Sequence, residues 1–261
     1  MLQLSFLDYF SAFTISGTLF FVLIFVFWCG YVLRKWTSKQ HPNPESGELG
    51  SISSALLGLL ALILAFTFSM ANSRYDERRQ LAIQEANAIG TVFLRTEFFP
   101  DSVQKELKQT LKIYHEERVS FFTSGMDVEK IILSSKNSDK FSKILWDQIT
   151  DFAKKDPNLV KTSEIVPALN EMIDLTLSRK AAGEANIPSS IQSFLIILCI
   201  SSTFLLGYER KAHFDWILVV CFSLLLSLTV FSIIDLDRPR SGLVTLDEAN
   251  LKIIELKALF E

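Results

Sequence analysis

The sequence is poor in the residues that build metal sites and disulfides. It contains three cysteines and three histidines among 261 residues. The histidines are far apart and show no metal-ligand spacing. Each cysteine lies in an apolar stretch, where an unpaired thiol behaves as a small apolar side chain. We therefore expect no metal site and no disulfide. The cysteines are Cys29, Cys199 and Cys221, and the histidines are His41, His115 and His213.

Recognisable catalytic motifs are also missing. The sequence has no glycine-rich phosphate loop, no nucleophile elbow and no zinc-protease helix motif. Its net charge of -3 gives no reason to expect a nucleic-acid partner. Carboxylates are plentiful between residues 74 and 184, but on an amphipathic helix a charge usually belongs to the solvated face. We expect a protein that is not an enzyme, with no catalytic residue and no cofactor.

Charge is absent from four long windows, residues 9–33, 49–73, 185–208 and 216–234, which contain no Asp, Glu, Lys or Arg. A helix needs roughly 17–25 apolar residues to cross a bilayer, and each window is long enough. Inside hydrocarbon the backbone must satisfy its own hydrogen bonds, so the windows predict four transmembrane helices. Proton-coupled carriers usually keep a charged residue near the midplane, so an ion-coupled carrier is not favoured.

The polar part between the second and third windows repeats apolar residues at helical spacing. Three segments, "DSVQKELKQTLKIYHEERVSFF", "NSDKFSKILWDQITDFAKK" and "TSEIVPALNEMIDLTLSRKAA", each predict an amphipathic helix that needs a partner face. In the tail, "TLDE" at Thr245–Glu248 has the spacing of a capping box and predicts a short final helix, Leu246–Phe260.

These patterns predict an all-α membrane protein in which a large helical extramembrane domain is inserted between the second and third transmembrane helices. We expect residues 1–73 to hold the first two spans, 74–184 the extramembrane domain, 185–234 the last two spans, and 235–261 a tail with a short helix. Lys and Arg flank the spans on both sides, so charge alone does not decide the orientation.

The second window carries a stripe of small residues. Ser54, Gly58, Ala61, Ala65, Ser69 and Asn72 share one face at helical spacing, and the opposite face carries Leu56, Leu59, Leu60, Ile63, Phe66 and Met70. Small side chains allow two helices to approach closely, so the stripe is typical of a helix–helix contact. The same stripe could line a pore, where small side chains leave room for water. The residues alone leave both interpretations open.

Charged residues follow directly after the second window. "SRYDERRQ" places Arg74, Asp76, Arg78 and Arg79 at the membrane boundary. Lipid phosphate would attract the arginines there. Around an oligomer axis, the same side chains would set the potential at a channel mouth.

The segments "FTFSMANSRYDERRQLAIQEANAIGTVFLR" and "DLDRPRSGL" resemble a bacterial membrane family described as bestrophin-like, and through it bestrophin ion channels. The resemblance implies a pentamer with four spans per subunit, a cytosolic helical domain and a pore lined by the second span. Setting Tyr75-Asp76 on the family's Tyr-Asp pair places the narrow apolar neck on Ala61, Ala65 and Ser69. A shift of one residue brings Phe68 there instead. Bulky neck residues and the acidic calcium clasp of animal members are missing.

The leading hypothesis is therefore an oligomeric ion channel in the bacterial inner membrane, with its helical domain in the cytosol and itself, ions and membrane lipids as partners. The expected pore-lining residues are Ser54, Gly58, Ala61, Ala65, Phe68, Ser69 and Asn72. The expected charges at the mouth are Arg74, Asp76, Arg78 and Arg79. The alternative is a non-conducting membrane sensor or scaffold whose helical domain binds a partner.

Overall fold

The described part of the chain is helical. The computed structural model describes residues 11–40, 46–156, 158–210, 214–238, 240 and 242–261, and within these ranges it contains no β-strand. His41 and His213 lie outside the described residues. The α-helices are α1 Ala12–Gln40, α2 Ser46–Arg95, α3 Asp101–Thr123, α4 Val128–Ala153, α5 Val160–Glu184, α6 Ser189–Glu209, α7 Trp216–Asp237 and α8 Asp247–Glu255. Short 3₁₀ turns follow α2 at Thr96–Phe98 and α8 at Leu256–Leu259.

In the described part of the chain, four helical stretches are long and apolar enough to cross a membrane. The described residues of the four charge-free windows lie mainly in α1, the first half of α2, α6 and α7. Pro188 is the N-cap residue of α6, where its missing N–H costs no helical hydrogen bond. The all-α class predicted from the sequence is thus confirmed, together with four apolar helices.

The contacts divide the chain into two compact units. The first contains Met1–Tyr75 and Asn186–Arg238, and the second contains Asp76–Ala185 and Pro239–Glu261. The helix α2 is continuous through the residue at which the units divide.

In the first unit, α1 packs against both α6 and α7. The ring of Phe13 contacts that of Phe231, and Phe27 contacts Phe214, so α1 and α7 run antiparallel. The Ser16 hydroxyl donates to the Ser227 carbonyl at 2.6 Å, which satisfies one polar group inside this apolar bundle. The buried core is built from leucine, isoleucine and small side chains on α1, α2, α6 and α7.

The backbones of α1 and α6 approach each other closely at two glycines. A Cβ atom added to Gly30 would fall closer than 3.0 Å to backbone atoms of Phe204 and Tyr208, and one added to Gly207 would meet the backbone of Phe27 in the same way. Only glycine leaves room for backbones at this separation. The helices therefore pack through their main chains at this crossing.

The second unit is a helical bundle with its own apolar core. Contacts between Ser120 and Ser134, and between Glu106 and Gln148, show that α3 and α4 form an antiparallel hairpin. The predicted amphipathic stripes meet in the core. Its fully buried members include Leu107, Leu111, Tyr114, Leu145, Ile149, Ile165, Leu169 and Met172.

Three sequence expectations for this unit need correction. Leu177 lies in the predicted amphipathic segment of α5 but is 57% exposed, so the buried stripe does not include it. The helix α4 begins at Val128, well before the predicted segment, with the Asp127 side chain capping its first turn. In the tail, α8 begins at Asp247, and the Thr245 hydroxyl bonds the Asp247 carboxylate at 2.7 Å instead of capping the helix.

We predict that Gly207→Ala destabilises the first unit. The added methyl group would overlap the Phe27 backbone, and overpacking of this kind costs about 1–3 kcal/mol or more. The measurement is thermal unfolding of the protein in detergent, with size exclusion to detect loss of the native assembly. Gly17→Ala is the matched control, because no atom lies within 4 Å of a Cβ there. An equal melting temperature for both variants would contradict the prediction.

Candidate pore-lining helix and the charged cluster beyond it

The small-residue stripe of α2 lies on the outside of the first unit. All of its members are exposed, from Ser54 and Gly58 through Ala61, Ala65 and Ser69 to Asn72, and Phe68 beside them is also exposed. A Cβ atom added to Gly58 would meet nothing within 4 Å. No described helix of the chain covers the stripe, so the helix–helix contact that its composition allowed is not made within the described part of the chain.

The side of α2 that packs into the first unit is a different one. Ser53, Leu60, Thr67 and Ala71 are buried there, and Leu56, Ile63, Leu64 and Met70 are half-buried around them. The sequence grouped Leu59 and Phe66 with Leu60 and Ile63 on the face opposite the small stripe, but both are exposed. At about 100° per residue they belong to a third face, which is bulky and apolar. The helix thus has a packed side, an exposed bulky side and an exposed small side.

The four charges expected at the mouth do not behave alike. Asp76 and Arg79 are exposed, and Arg74 is half-buried. Arg78 is only 3% exposed. Its Nε donates to the Ala182 carbonyl at 2.9 Å, and one terminal nitrogen donates to the Ala185 carbonyl at 2.6 Å.

These two carbonyls lie at the C-terminal end of α5, where helical carbonyls lack partners and the helix dipole is negative. Arg78 therefore caps α5 from inside the second unit. Its side chain is buried against this helix end, unlike those of Asp76 and Arg79.

Beyond the boundary, α2 carries a fully buried carboxylate. Glu85 is 0% exposed, and its two oxygens accept hydrogen bonds from Arg118 at 2.5 and 3.2 Å and from Arg179 at 2.6 Å. The two arginines come from α3 and α5 and are themselves buried. Three helices are thus joined through one carboxylate, and removing it would leave two buried guanidinium charges without their partner.

Aromatic rings and polar groups surround this cluster. The guanidinium of Arg179 lies 3.7 Å from the centre of the Phe122 ring, and that of Arg118 lies 4.9 Å from it. Burial lowers the pKa of Arg118, but the Glu85 carboxylate more than offsets this and raises the pKa above its ordinary value. Burial, reinforced by the Glu85 charge, raises the pKa of Tyr114. Both groups therefore keep their ordinary protonation at neutral pH.

The cluster also reaches the C-terminal tail. A second terminal nitrogen of Arg179 donates to the Asn250 side chain at 2.7 Å, and the His115 ring bonds the Ile253 carbonyl at 2.6 Å. Together these bonds fix α8 against α3 and α5. The expectation that carboxylates of this region are solvated is wrong for Glu85. The burial of Glu85 could have been predicted from its position beside Ala82, Ala86 and Ile89 on an otherwise apolar stripe of α2.

The conspicuous segment "DLDRPRSGL" provides two anchors, one in each unit. In the first unit, both oxygens of the buried Asp237 accept from the Ile187 backbone N–H, at 3.1 and 2.9 Å, just before α6. In the second unit, Arg240 donates to the carbonyls of Phe121 and Gly125 at 3.1 and 3.3 Å, at the end of α3. The guanidinium of Arg240 also lies 4.6 Å from the centre of the Phe121 ring.

None of these arrangements has the geometry of a catalytic centre. The charged groups are held by one another and by backbone carbonyls, so no nucleophile with an adjacent base is presented to a substrate. Within the described residues, no three His, Cys, Asp or Glu side chains are grouped to hold a metal ion. In the second unit these charged groups stabilise the fold. On α2, the exposed feature is the face of small side chains.

Comparison with known proteins agrees with the fold. A family model described as the Bestrophin-like domain matches residues 20–251. Two crystal structures of variants of a bacterial bestrophin homolog from Klebsiella pneumoniae are similar, with TM-scores of 0.73 and 0.72 at 13% and 12% sequence identity. The first match covers 96% of this chain and 97% of the other, and the second covers 94% and 98%. No curated protein is similar enough to match.

We predict that Glu85→Gln strongly destabilises the protein. Breaking a buried ion pair by removing one partner costs about 3–5 kcal/mol, because the remaining charge is left uncompensated. Loss of helical circular dichroism on heating measures the effect. Glu97→Gln is the matched control on the same chain segment, since Glu97 forms an exposed pair with Lys108 at 3.6 Å, worth about 0–1 kcal/mol. An equal decrease in melting temperature in the two variants would show that the Glu85 cluster does not stabilise the fold.

Proposed function

The chain belongs to the bestrophin-like family, and on that premise we propose that it forms a homo-oligomeric ion channel in the bacterial inner membrane. In this proposal α2 lines the pore, and its continuation beyond residue 73 forms a water-filled vestibule. The observation that carries the proposal is the exposed stripe of small residues on α2, which no described helix of its own protomer covers. By family resemblance the assembly is a pentamer.

The proposed topology has four spans and one inserted domain. The charge-free parts of α1, α2, α6 and α7 cross the bilayer, and residues 74–184 form a cytosolic helical domain between the second and third spans. Residues 235–261 form a tail with a short helix. The extramembrane assignment is supported by the buried charge cluster of Glu85, Arg118 and Arg179, which would be an expensive feature inside hydrocarbon.

The proposed pore wall contains no charge between residues 49 and 73. Its neck is formed by Ala61, Ala65 and Ser69, with Phe68 beside them on the same exposed side. Small side chains leave space for water and ions around a shared axis, whereas the bulky face with Leu59 and Phe66 is suited to lipid or a neighbouring subunit. Ser54, Gly58 and Asn72 extend the same wall toward its two ends.

At the mouth, the proposed charges are those that the protomer leaves accessible. Arg79 and Asp76 are exposed, and Arg74 is half-buried, while Arg78 is used inside the second unit. The neighbouring Glu77 is also exposed. Two positive and two negative side chains therefore lie close together, so a single charge reversal should change the local potential markedly.

We predict that Ala65→Phe and Ser69→Phe each reduce ion flux through purified protein in liposomes by on the order of tenfold. The rings would project from the exposed small stripe into the conduit and narrow it. Leu59→Phe is the control, because it adds bulk to the other exposed face of α2. Circular dichroism should show that all three variants remain folded.

If the Phe variants conduct like the unaltered protein, these positions do not line the pore. Subunit counting by mass photometry tests the assembly independently. A protein that is monomeric and passes no ions would support the alternative function, a non-conducting sensor or scaffold.

A second prediction concerns the mouth. Arg79→Glu changes the charge by -2 per subunit and should shift the reversal potential of a salt gradient toward cation permeation. The shift should shrink as salt rises, because the screening length falls from about 30 Å at 0.01 M to about 3 Å at 1 M. Lys155→Glu, an exposed position on the turn between α4 and α5, is the control. An equal shift of the reversal potential in both variants would show that Arg79 does not lie at the channel mouth.

A further inference from the structure

An apolar cavity of about 280 Å³ lies between α2 and α6 in the first unit. We call it the α2–α6 cavity. Ile63 and Met70 on α2 and Ile191 on α6 contribute to its walls, and each of them is half-buried. Phe66 and Phe194 also line it and are 62% and 45% exposed, so the cavity is open to the surroundings of the unit.

The walls of this cavity favour hydrocarbon over water. The Thr67 hydroxyl in the wall already donates to the Ile63 carbonyl at 2.6 Å, and the other hydroxyl, that of Ser190, lies on α6. A water molecule in a cavity needs about 2–4 polar partners, whereas an apolar cavity of about 150 Å³ stays dry and binds benzene. An apolar chain is therefore the ligand that the α2–α6 cavity accepts best.

The cavity spans the depth of one leaflet in the proposed topology. Ser73 is the last residue of the charge-free window, and α2 is helical without interruption on both sides of it. Met70 and Ile63 precede Ser73 by three and ten residues, which corresponds to about 4.5 and 15 Å along the helix. Half the hydrocarbon thickness of a bilayer is also about 15 Å. Lipid acyl chains would therefore surround the opening of the cavity.

Arg74 lies on the same face of α2, one turn beyond the cavity. It follows Thr67 by seven residues and Met70 by four, which are the spacings that bring side chains to one face of a helix. Its guanidinium forms no hydrogen bond and no ion pair with any residue that the structure describes. Arg78, in contrast, is held by two backbone carbonyls. Arg74 therefore leaves a positive charge available to an anion at the water end of the cavity.

The first turn of α6 lies at the same end of the cavity. A Cβ atom added to Gly50 would lie 3.9 Å from a side-chain oxygen of Glu209. Met70 and Ser190 both line the cavity, so α2 and α6 run antiparallel. Ser190 is the second residue of α6, and the N-terminal end of a helix dipole is positive. The helix end and Arg74 together favour a negatively charged group such as phosphate.

We propose that the α2–α6 cavity binds one acyl chain of a membrane phospholipid, whose phosphate is bound by Arg74 and the first turn of α6. Basic groups beside transmembrane helices recognise lipid headgroups in this way. The occupant is a lipid and not free phosphate, because the cavity itself accepts hydrocarbon. The bound chain would fill the space between α2 and α6 and hold the proposed pore helix in place.

This proposal rests on the membrane topology proposed above but not on conduction. A protein that crosses the bilayer and passes no ions would bind the lipid equally well. A conducting protein that binds no lipid in this cavity would contradict the lipid site and leave the channel proposal intact. The two proposals therefore fail in different experiments.

The experiment titrates phosphatidylglycerol onto the full chain, purified in detergent and freed of lipid. Native mass spectrometry counts the lipid molecules bound per subunit. Met70→Trp fills the cavity, and Arg74→Gln removes the proposed phosphate ligand without adding bulk. The matched controls are Leu225→Trp, at a position 66% exposed on α7, and Arg79→Gln, at an exposed position on another side of α2. Circular dichroism checks that each variant is folded.

We expect the unaltered protein and both controls to bind phosphatidylglycerol with the same apparent Kd. Arg74→Gln should raise this Kd on the order of tenfold, the loss that follows removal of a hydrogen bond between charged groups. Met70→Trp should abolish the binding, because the indole ring would occupy the space of the acyl chain. Diacylglycerol with the same chains, which lacks the phosphate, should bind the unaltered protein as weakly as phosphatidylglycerol binds Arg74→Gln.

Equal affinity in all the variants would overturn the proposal. An unchanged Kd for Arg74→Gln would overturn the phosphate contact, and this variant keeps the test decisive if Met70→Trp fails to fold. The remaining occupant is a second copy of the chain. Phe194→Cys, in a chain whose three native cysteines are replaced by alanine, tests for it. A disulfide between copies at this position would assign the cavity to a subunit interface and overturn the lipid site.

Discussion

The second unit depends on one buried carboxylate. Glu85 on α2 accepts hydrogen bonds from Arg118 on α3 and Arg179 on α5, and Arg179 continues to Asn250 on α8. Four helices that are distant in sequence are thus oriented by one charge. An ion cluster of this kind adds little net stability, but it admits few alternative packings, because any other arrangement would leave a guanidinium buried without a partner. The apolar core of the second unit packs around this cluster.

Two other arginines hold helix ends in the same unit. Arg78 bonds the last carbonyls of α5, and Arg240 bonds carbonyls at the end of α3. Both lie a few residues from a charge-free window, so both fix the segments that lead into the apolar helices. Their positive charge also suits the negative end of a helix dipole. The charged residues near the ends of the charge-free windows are therefore of two kinds. Some, such as Arg78, are buried and bond helix ends, and others, such as Arg79, are exposed.

The sequence predicted the helices because their signals are local. Charge-free windows and the apolar periodicity of α3, α4 and α5 each depend on neighbours within a few turns. The arrangements that it did not predict depend on distant partners. Glu85 is buried by residues 33 and 94 positions away, and Gly30 is a contact residue only because α6 crosses it. The small stripe of α2 was recognised, but composition alone could not show which face of the helix its own protomer leaves open.

The main-chain contact at Gly30 and Gly207 has a mechanical consequence. Two backbones in direct contact have no side chains between them that could repack, so we expect α1 and α6 to move together. The helix α2 meets this pair through longer, adaptable groups, and a cavity of about 280 Å³ lined by Ile63, Thr67, Met70 and Phe194 lies beside it. We therefore expect α2 to be displaced relative to this pair more readily than α1 is separated from α6.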